Sequence, residues 1–234
     1  MPRRIKQIIA AVVLFGVLFV SAKHGFTVVS IQLVEDIELA GEYDAETYIE
    51  KIWNSSLIPT IEEEAVELAT ILREFDVDDE GMTSKDTLQP VVDRYGSTTA
   101  GQAHVYMVKG EGRVLSVDLE SRVGVAELEL EDYDGATKVQ LFLGPRIPSD
   151  ESSVRDAVGF INFGDFRDQT EYGRVAAAIN NRINREVLEP LDKENLEGKR
   201  VAFRGAFSIR TFNLVNIDLS KINVTPTHLQ VLSE

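Results

Sequence analysis

Cysteine is missing altogether. That excludes a disulfide framework, a thiolate-ligated zinc or iron–sulfur centre, a thiol nucleophile and a lipid-bearing N-terminal cysteine. Histidine is scarce: His24, His104 and His228 stand far apart, with no HxH or HExxH spacing to build a metal site. No GxSxG or P-loop occurs. Basic residues are in the minority, 24 against 39 acidic ones, and the resulting charge of −15 repels phosphate backbones. Nucleic acid is therefore not an expected partner. With 44% hydrophobic and 27% charged residues, the 234-residue chain has a globular composition rather than a collagenous or low-complexity one.

Long apolar runs are lacking too, with one exception. Residues 8–22, IIAAVVLFGVLFVSA, carry no charge and lie between Arg3, Arg4 and Lys6 on one side and Lys23 on the other. A basic end, an apolar stretch and small residues at Val20 and Ala22 form an export signal. Fifteen residues fall short of the ~20 that span a bilayer as a helix. Two fates stay open: cleavage after Ala22 releases a soluble protein, and an uncleaved segment leaves a one-pass membrane anchor. Either places the acidic body in the periplasm or an equivalent extracytoplasmic space.

The body opens with helical patterns. Residues 26–39 read as a strand or stalk, and Asp44 is a good N-cap for a helix over 45–53. Pro59 and Thr60 are expected to open a second helix, with Thr60 and Glu63 at capping-box spacing. Its apolar stripe is Ile61, Ala65, Leu68, Leu72 and Phe75. DVDDEG breaks it, and residues 84–95 predict a third helix around Pro90.

From Ala103 the pattern turns to strands: HVYMVKG, GRVLSVDL, SRVGVAELELE and TKVQLFLG. GEGR at 110–113 and YDGA at 133–136 are expected hairpin turns. In the third strand the inward set passes from Val123 and Val125 to Leu128 and Leu130, which predicts a β-bulge near Ala126. Ser152 or Ser153 caps a short turn. Asp168 caps a longer helix with the stripe Tyr172, Val175, Ile179, Ile183 and Val187, ended by Pro190. Two further strands close the chain. Gly205 marks a tight bend in the first, and Pro226 confines the second to an edge or a bulge. The expected fold is α+β, a small helical N-terminal domain followed by an OB-like Greek-key β-barrel with an inserted helix. The boundaries are 1–30 for the signal or anchor, 31–98 for the helices and 99–234 for the barrel.

Chemistry is harder to find. Residues 35–80 hold 16 acidic and 2 basic residues. Asp76, Asp78, Asp79 and Glu80 could offer oxygens to Ca²⁺, but DVDDEG does not match the EF-hand loop, and a solvated charged face explains the run better. The strongest interaction candidate is residues 144–169, which mix Arg146, Arg155, Asn162, Phe163, Asp165, Phe166 and Gln169 in irregular chain. The competing explanation is a loop that packs Phe160, Phe163 and Phe166 against the barrel and is ordered by an Arg155–Asp165 pair.

These residues also resemble a known family. YDAETYIEKIWNSSLIPTIEEEAVELATIL, VKGEGRVLSVDLESRVG, LGPRI, VRDAVGFINFGDFRDQTEYGRVAAAIN and LEGKRVAFRGAFSI are similar, in order, to DUF2291 proteins of bacteria, described as predicted periplasmic lipoproteins. The resemblance implies the same helical-plus-OB-like fold, no established cofactor and no catalytic residues. It also implies an accessory role near sugar ABC-transport systems. Family-pattern positions are Trp53, Pro59, Ser121, Arg122, Gly124, Gly144, Pro145, Arg155, Asp156, Phe166 and Gln169. Phe26 stands where a lipobox cysteine belongs, so the lipid anchor of the family is not available.

The expected function is that of a non-catalytic envelope protein without a cofactor. It would engage an ABC-transporter component or a small solute, and meet the membrane through residues 8–22. Binding candidates are Trp53, Arg122, Arg146, Arg155, Asp156, Phe166 and Gln169. The rival expectation is a periplasmic hydrolase using carboxylates around Arg155, Asp156 and Asp165.

Overall fold

The structure, a computed structural model, describes residues 43–233 apart from 100, 102 and 149. The expected export segment and the stretch 26–39 lie outside the described residues. Asp44–Glu234 form one compact unit. Among the described residues no helix is long and apolar enough to cross a membrane.

Helix α1 (Ala45–Ile52) begins as its sequence dictates: the Asp44 carboxylate accepts from the Glu46 and Thr47 N–H groups and the Thr47 hydroxyl. The expected second start at Pro59 is not found. A π-helical turn, Trp53–Leu57, leads straight into α2 (Ile58–Glu64), and no side chain caps that junction. The wider turn accommodates the ring, and Pro59 falls in the first turn of α2, where a missing N–H is tolerated. The expected single helix from Ile61 to Phe75 is also divided. Ala65 turns extended, β1 (Val66–Glu67) joins the sheet, and α3 (Leu68–Glu74) resumes. Even so, Ile61, Ala65, Leu68, Leu72 and Phe75 are all buried, so the stripe identified the core and missed the break. A short β2 (Met82–Ser84) precedes α4 (Lys85–Tyr95), the helix expected over 84–95, which Ser84 caps by accepting from the Thr87 N–H.

The sheet begins with β3 (Gly96–Thr98) and β4 (Ala103–Asp118). GEGR is not a hairpin but the middle of β4. Residues 103–113 pair with β7 (Arg200–Arg210) and 112–118 with β5 (Val125–Leu130), so the glycine-bearing segment is where β4 passes from one neighbour to the next. A bulge does occur in the β4–β5 pair, but on β4, where Leu115 has no opposite number. Strand β5 keeps one register, burying Ala126, Leu128 and Leu130. Next come β6 (Lys138–Phe142), α5 (Ser153–Ala157), α6 (Gln169–Ile183, prolonged by a π turn to Leu188), β7, β8 (Asn216–Asp218) and β9 (Lys221–Val231). Pairing runs β4–β5–β6–β9–β7, and β7 returns to β4. Only β6–β9 is parallel within that circuit. The α+β class expected from the sequence is what the chain forms.

The core is continuous across the helices and the sheet. Tyr106 of β4 stacks on Phe207 of β7 at 4.9 Å, and Phe75 from the end of α3 meets both rings edge-on. Val201, Phe203, Phe207 and Ile209 all point inward, as their alternation requires. Pro226 sits at a bulge: Gly205 pairs with it and Arg204 with His228, leaving Thr227 extra. Gly205 is required there because a Cβ would stand 2.1 Å from the Thr225 carbonyl oxygen. Gly205→Ala should therefore lower stability by roughly 3 kcal/mol, the cost of overpacking against a backbone that cannot retreat; the urea midpoint reads this directly.

Candidate functional site

The segment between β6 and β7 builds one wall of a cleft. Ser153, at the start of α5, is buried and its hydroxyl reaches the Ala206 carbonyl of β7 and the Thr225 hydroxyl of β9, which fixes the helix to the sheet. Arg155 and Asp156 follow on the same turn. The Arg155 guanidinium is nearly buried, and its Nε and Nη2 both lie 2.7 Å from Asp156 Oδ1. Its Nη1 donates to the Tyr172 carbonyl at 2.9 Å, and its Cζ lies 3.5 Å from the centre of the Tyr172 ring. The Tyr172 hydroxyl donates to Asp156 Oδ1, and the Ser152 hydroxyl to Oδ2 at 2.8 Å. Cation, carboxylate and ring thus satisfy one another.

Tyr172 is placed by α6, whose N-cap Asp168 accepts from the Thr170 and Glu171 N–H groups. The Glu171 N–H, followed by that of Thr170, holds the Asp168 carboxyl below its ordinary pKa. On the opposite wall stand Ser97, Thr98, Thr99, Gly101 and Ala103, brought in because β3 pairs antiparallel with β4. Arg210 closes one end, paired at 2.9 Å with Asp150. The cleft measures about 820 Å³, and Asn162, Phe163 and Gln169 also line it. Phe163 is 53% exposed while resting edge-on against Tyr172. Such a site presents hydroxyls, amides and aromatic faces, and its charges are already paired.

Of the residues singled out from the sequence, Arg155, Asp156 and Gln169 line the cleft. Phe166 backs it, packed on Tyr48 and Tyr172. The other three stand elsewhere. Trp53 is buried beneath the Arg182 guanidinium and joins α1 to α6. Arg122 and Arg146 expose their side chains, and their backbones form a staple in which the Arg146 N–H donates to the Arg122 carbonyl. Gly124, at φ +58°, belongs to that staple: its carbonyl accepts from Leu143, and a Cβ on it would meet the Gly144 oxygen at 2.1 Å. The expected Arg155–Asp165 pair is replaced by Arg155–Asp156, and Asp165 instead accepts from the Asn162 N–H in a 3₁₀ capping box. Asp78, in the acidic run, accepts from the Glu80 and Met82 N–H groups and so shapes a turn. Sequence reasoning missed Tyr172, read as part of a core stripe, and the Ser97–Thr99 wall, which only the strand pairing brings near.

The family model for predicted periplasmic lipoproteins, DUF2291, matches residues 15–230. The chain belongs to DUF2291. As none of its 234 residues is cysteine, this DUF2291 chain cannot carry the thioether-linked lipid that the family description implies. Among solved structures it is similar to an OB-fold protein of Thermotoga maritima, with a TM-score of 0.60 at 16% identity over 82% of this chain and 100% of that one. No curated protein matches it. The OB likeness concerns the fold alone.

Two outcomes test the electrostatics of the site. Asp156→Ala leaves a nearly buried guanidinium without its carboxylate and should cost about 3 kcal/mol in chemical denaturation. Burial pushes the Glu151 carboxyl up, against the opposing pull of the Ser153 side chain and N–H. A raised carboxyl pKa contributes stability below the unfolded value of roughly 4.3 and loses it as pH rises through the folded value. Glu151→Gln should thus be more stable than the native chain at pH 7, with the gain shrinking towards pH ~4, as pH-resolved melting will show.

Proposed function

We propose that this DUF2291 protein is a non-catalytic, envelope-associated binding protein whose cleft between α5–α6 and β3–β4 takes a small, neutral, hydroxyl-rich solute, in an accessory role to a sugar ABC-transport system. The observation that carries the reading is the pairing of the cleft's charges. Arg155 is engaged by Asp156 and Tyr172, Arg210 by Asp150, and what remains for a ligand is hydroxyl, amide and ring. A charged ligand would have to break one of those pairs, whereas a polyol hydrogen-bonds to Thr99, Asn162 and Gln169 and stacks on Phe163. Both oxygens of Asp156 are occupied and Asp165 caps a turn, which supports binding over acid–base hydrolysis at these carboxylates. In this reading the circuit of strands is an OB-like Greek-key barrel with α5 and α6 inserted between β6 and β7. Residues 8–22 deliver the body to the periplasm, as an uncleaved inner-membrane anchor or as a signal removed after Ala22.

Isothermal titration of the full-length chain with D-glucose, D-ribose and myo-inositol tests the cleft. At least one should bind saturably, and Tyr172→Phe, which keeps the ring, should retain more affinity than Gln169→Ala with Asn162→Ala. Absence of saturable binding across the panel, or binding untouched by the amide substitutions, overturns the proposal.

A further inference from the structure

A second cleft, of about 740 Å³, lies on the outer face of the sheet, bordered by α3 and the β5–β6 turn. Strand register builds its floor. Lys109 of β4 pairs with Arg204 of β7, and Arg204 with His228 of β9, so three nitrogen-bearing side chains stand abreast on neighbouring strands. At the usual strand spacing the row spans about 10 Å. It lies six residues along β4 from the Ala103–Arg210 pair, roughly 20 Å from the solute cleft.

Arg204 is the unusual member. Among the described residues its guanidinium has no hydrogen-bonding or ionic partner, and its Nε is buried. The acidic residues lining the cleft do not relieve it. Glu111 and Glu131 are taken by Arg200, at 3.3 and 2.5 Å, and Glu67 leans on Lys109 at 3.9 Å. Arg73, on the α3 side, spends its Nε on the Ala69 carbonyl. A buried donor without an acceptor is costly, and a guanidinium fork fits a planar or tetrahedral oxyanion in a bidentate manner. A charge of −15 and the acidic rim at Asp132 oppose a long polyanion but leave a small one free to enter.

We infer that this cleft binds a small solute through one oxyanion group, a carboxylate or a phosphate, seated on Arg204 between Lys109 and His228. The site is separate from the neutral-solute cleft and stands or falls independently of it.

Titration of the full-length chain with inorganic phosphate and, in a second arm, with succinate tests the inference and separates the two chemistries. Saturable binding is expected in at least one arm, and the tighter arm names the class. Arg204→Lys, which keeps the charge and loses the fork, should weaken binding roughly tenfold, whereas Arg94→Gln, on an unrelated exposed surface, should not. If Arg204→Lys fails to fold, Lys109→Gln combined with His228→Gln must weaken binding at least severalfold. No saturable binding in either arm, or undiminished binding in the variants that fold, overturns the inference.

Discussion

Eleven consecutive residue pairs join β4 to β7, from Ala103–Arg210 to Arg113–Arg200, and the molecule is organised around that seam. It brings the last third of the chain back onto the first strand of the circuit. The stacked Tyr106 and Phe207 rings lie across it, with Phe75 against both. Burial also pushes the Tyr106 hydroxyl's pKa well up, as befits a phenol in a dry core. Both clefts border the seam, one near each end. Register therefore does more than close the sheet. It decides that Arg210 meets the β3 wall and that Arg204 stands between Lys109 and His228.

The two clefts follow opposite electrostatic rules. In the first, a guanidinium that would otherwise be an uncompensated buried charge is fully occupied by a carboxylate, a carbonyl and a ring. In the second, among the described residues, the Arg204 guanidinium has no such partners, and the carboxylates of Glu111 and Glu131 pair with Arg200.

Periodicity made much of the fold legible. Asp44 and Asp168 cap the helices they are expected to cap, and the β7 alternation sorts Phe203 and Phe207 from Arg200 and Arg204 because a strand's faces alternate strictly. What failed did so for local reasons. Pro59 and GEGR are strong punctuators in isolation, yet a π turn absorbs the first and a strand changing partners absorbs the second. The bulge expected near Ala126 is not on β5, which buries the single set Ala126, Leu128 and Leu130 while Val125 stays half-buried; the extra residue is Leu115 on β4. Within the candidate site, Arg155, Asp156 and Gln169 were recoverable because they share one stretch of sequence between β6 and β7, although α5 and α6 rather than a loop present them. The Ser97–Thr99 wall was not, because only long-range pairing places it there. Arg122 is a candidate through the family resemblance and Arg146 through the composition of its stretch, and in both the backbone is what the fold uses.

The central claim is that the cleft beside Tyr172 recognises a neutral solute through groups from both of its walls. The most direct measurement is backbone and aromatic NMR shift mapping of the full-length chain with a saturating neutral sugar. The account predicts shifts confined to Ser97–Thr99, residues 159–163, Gln169 and Tyr172, with Arg204 and His228 unmoved. Shifts centred on any other surface, or none at saturation, would contradict it.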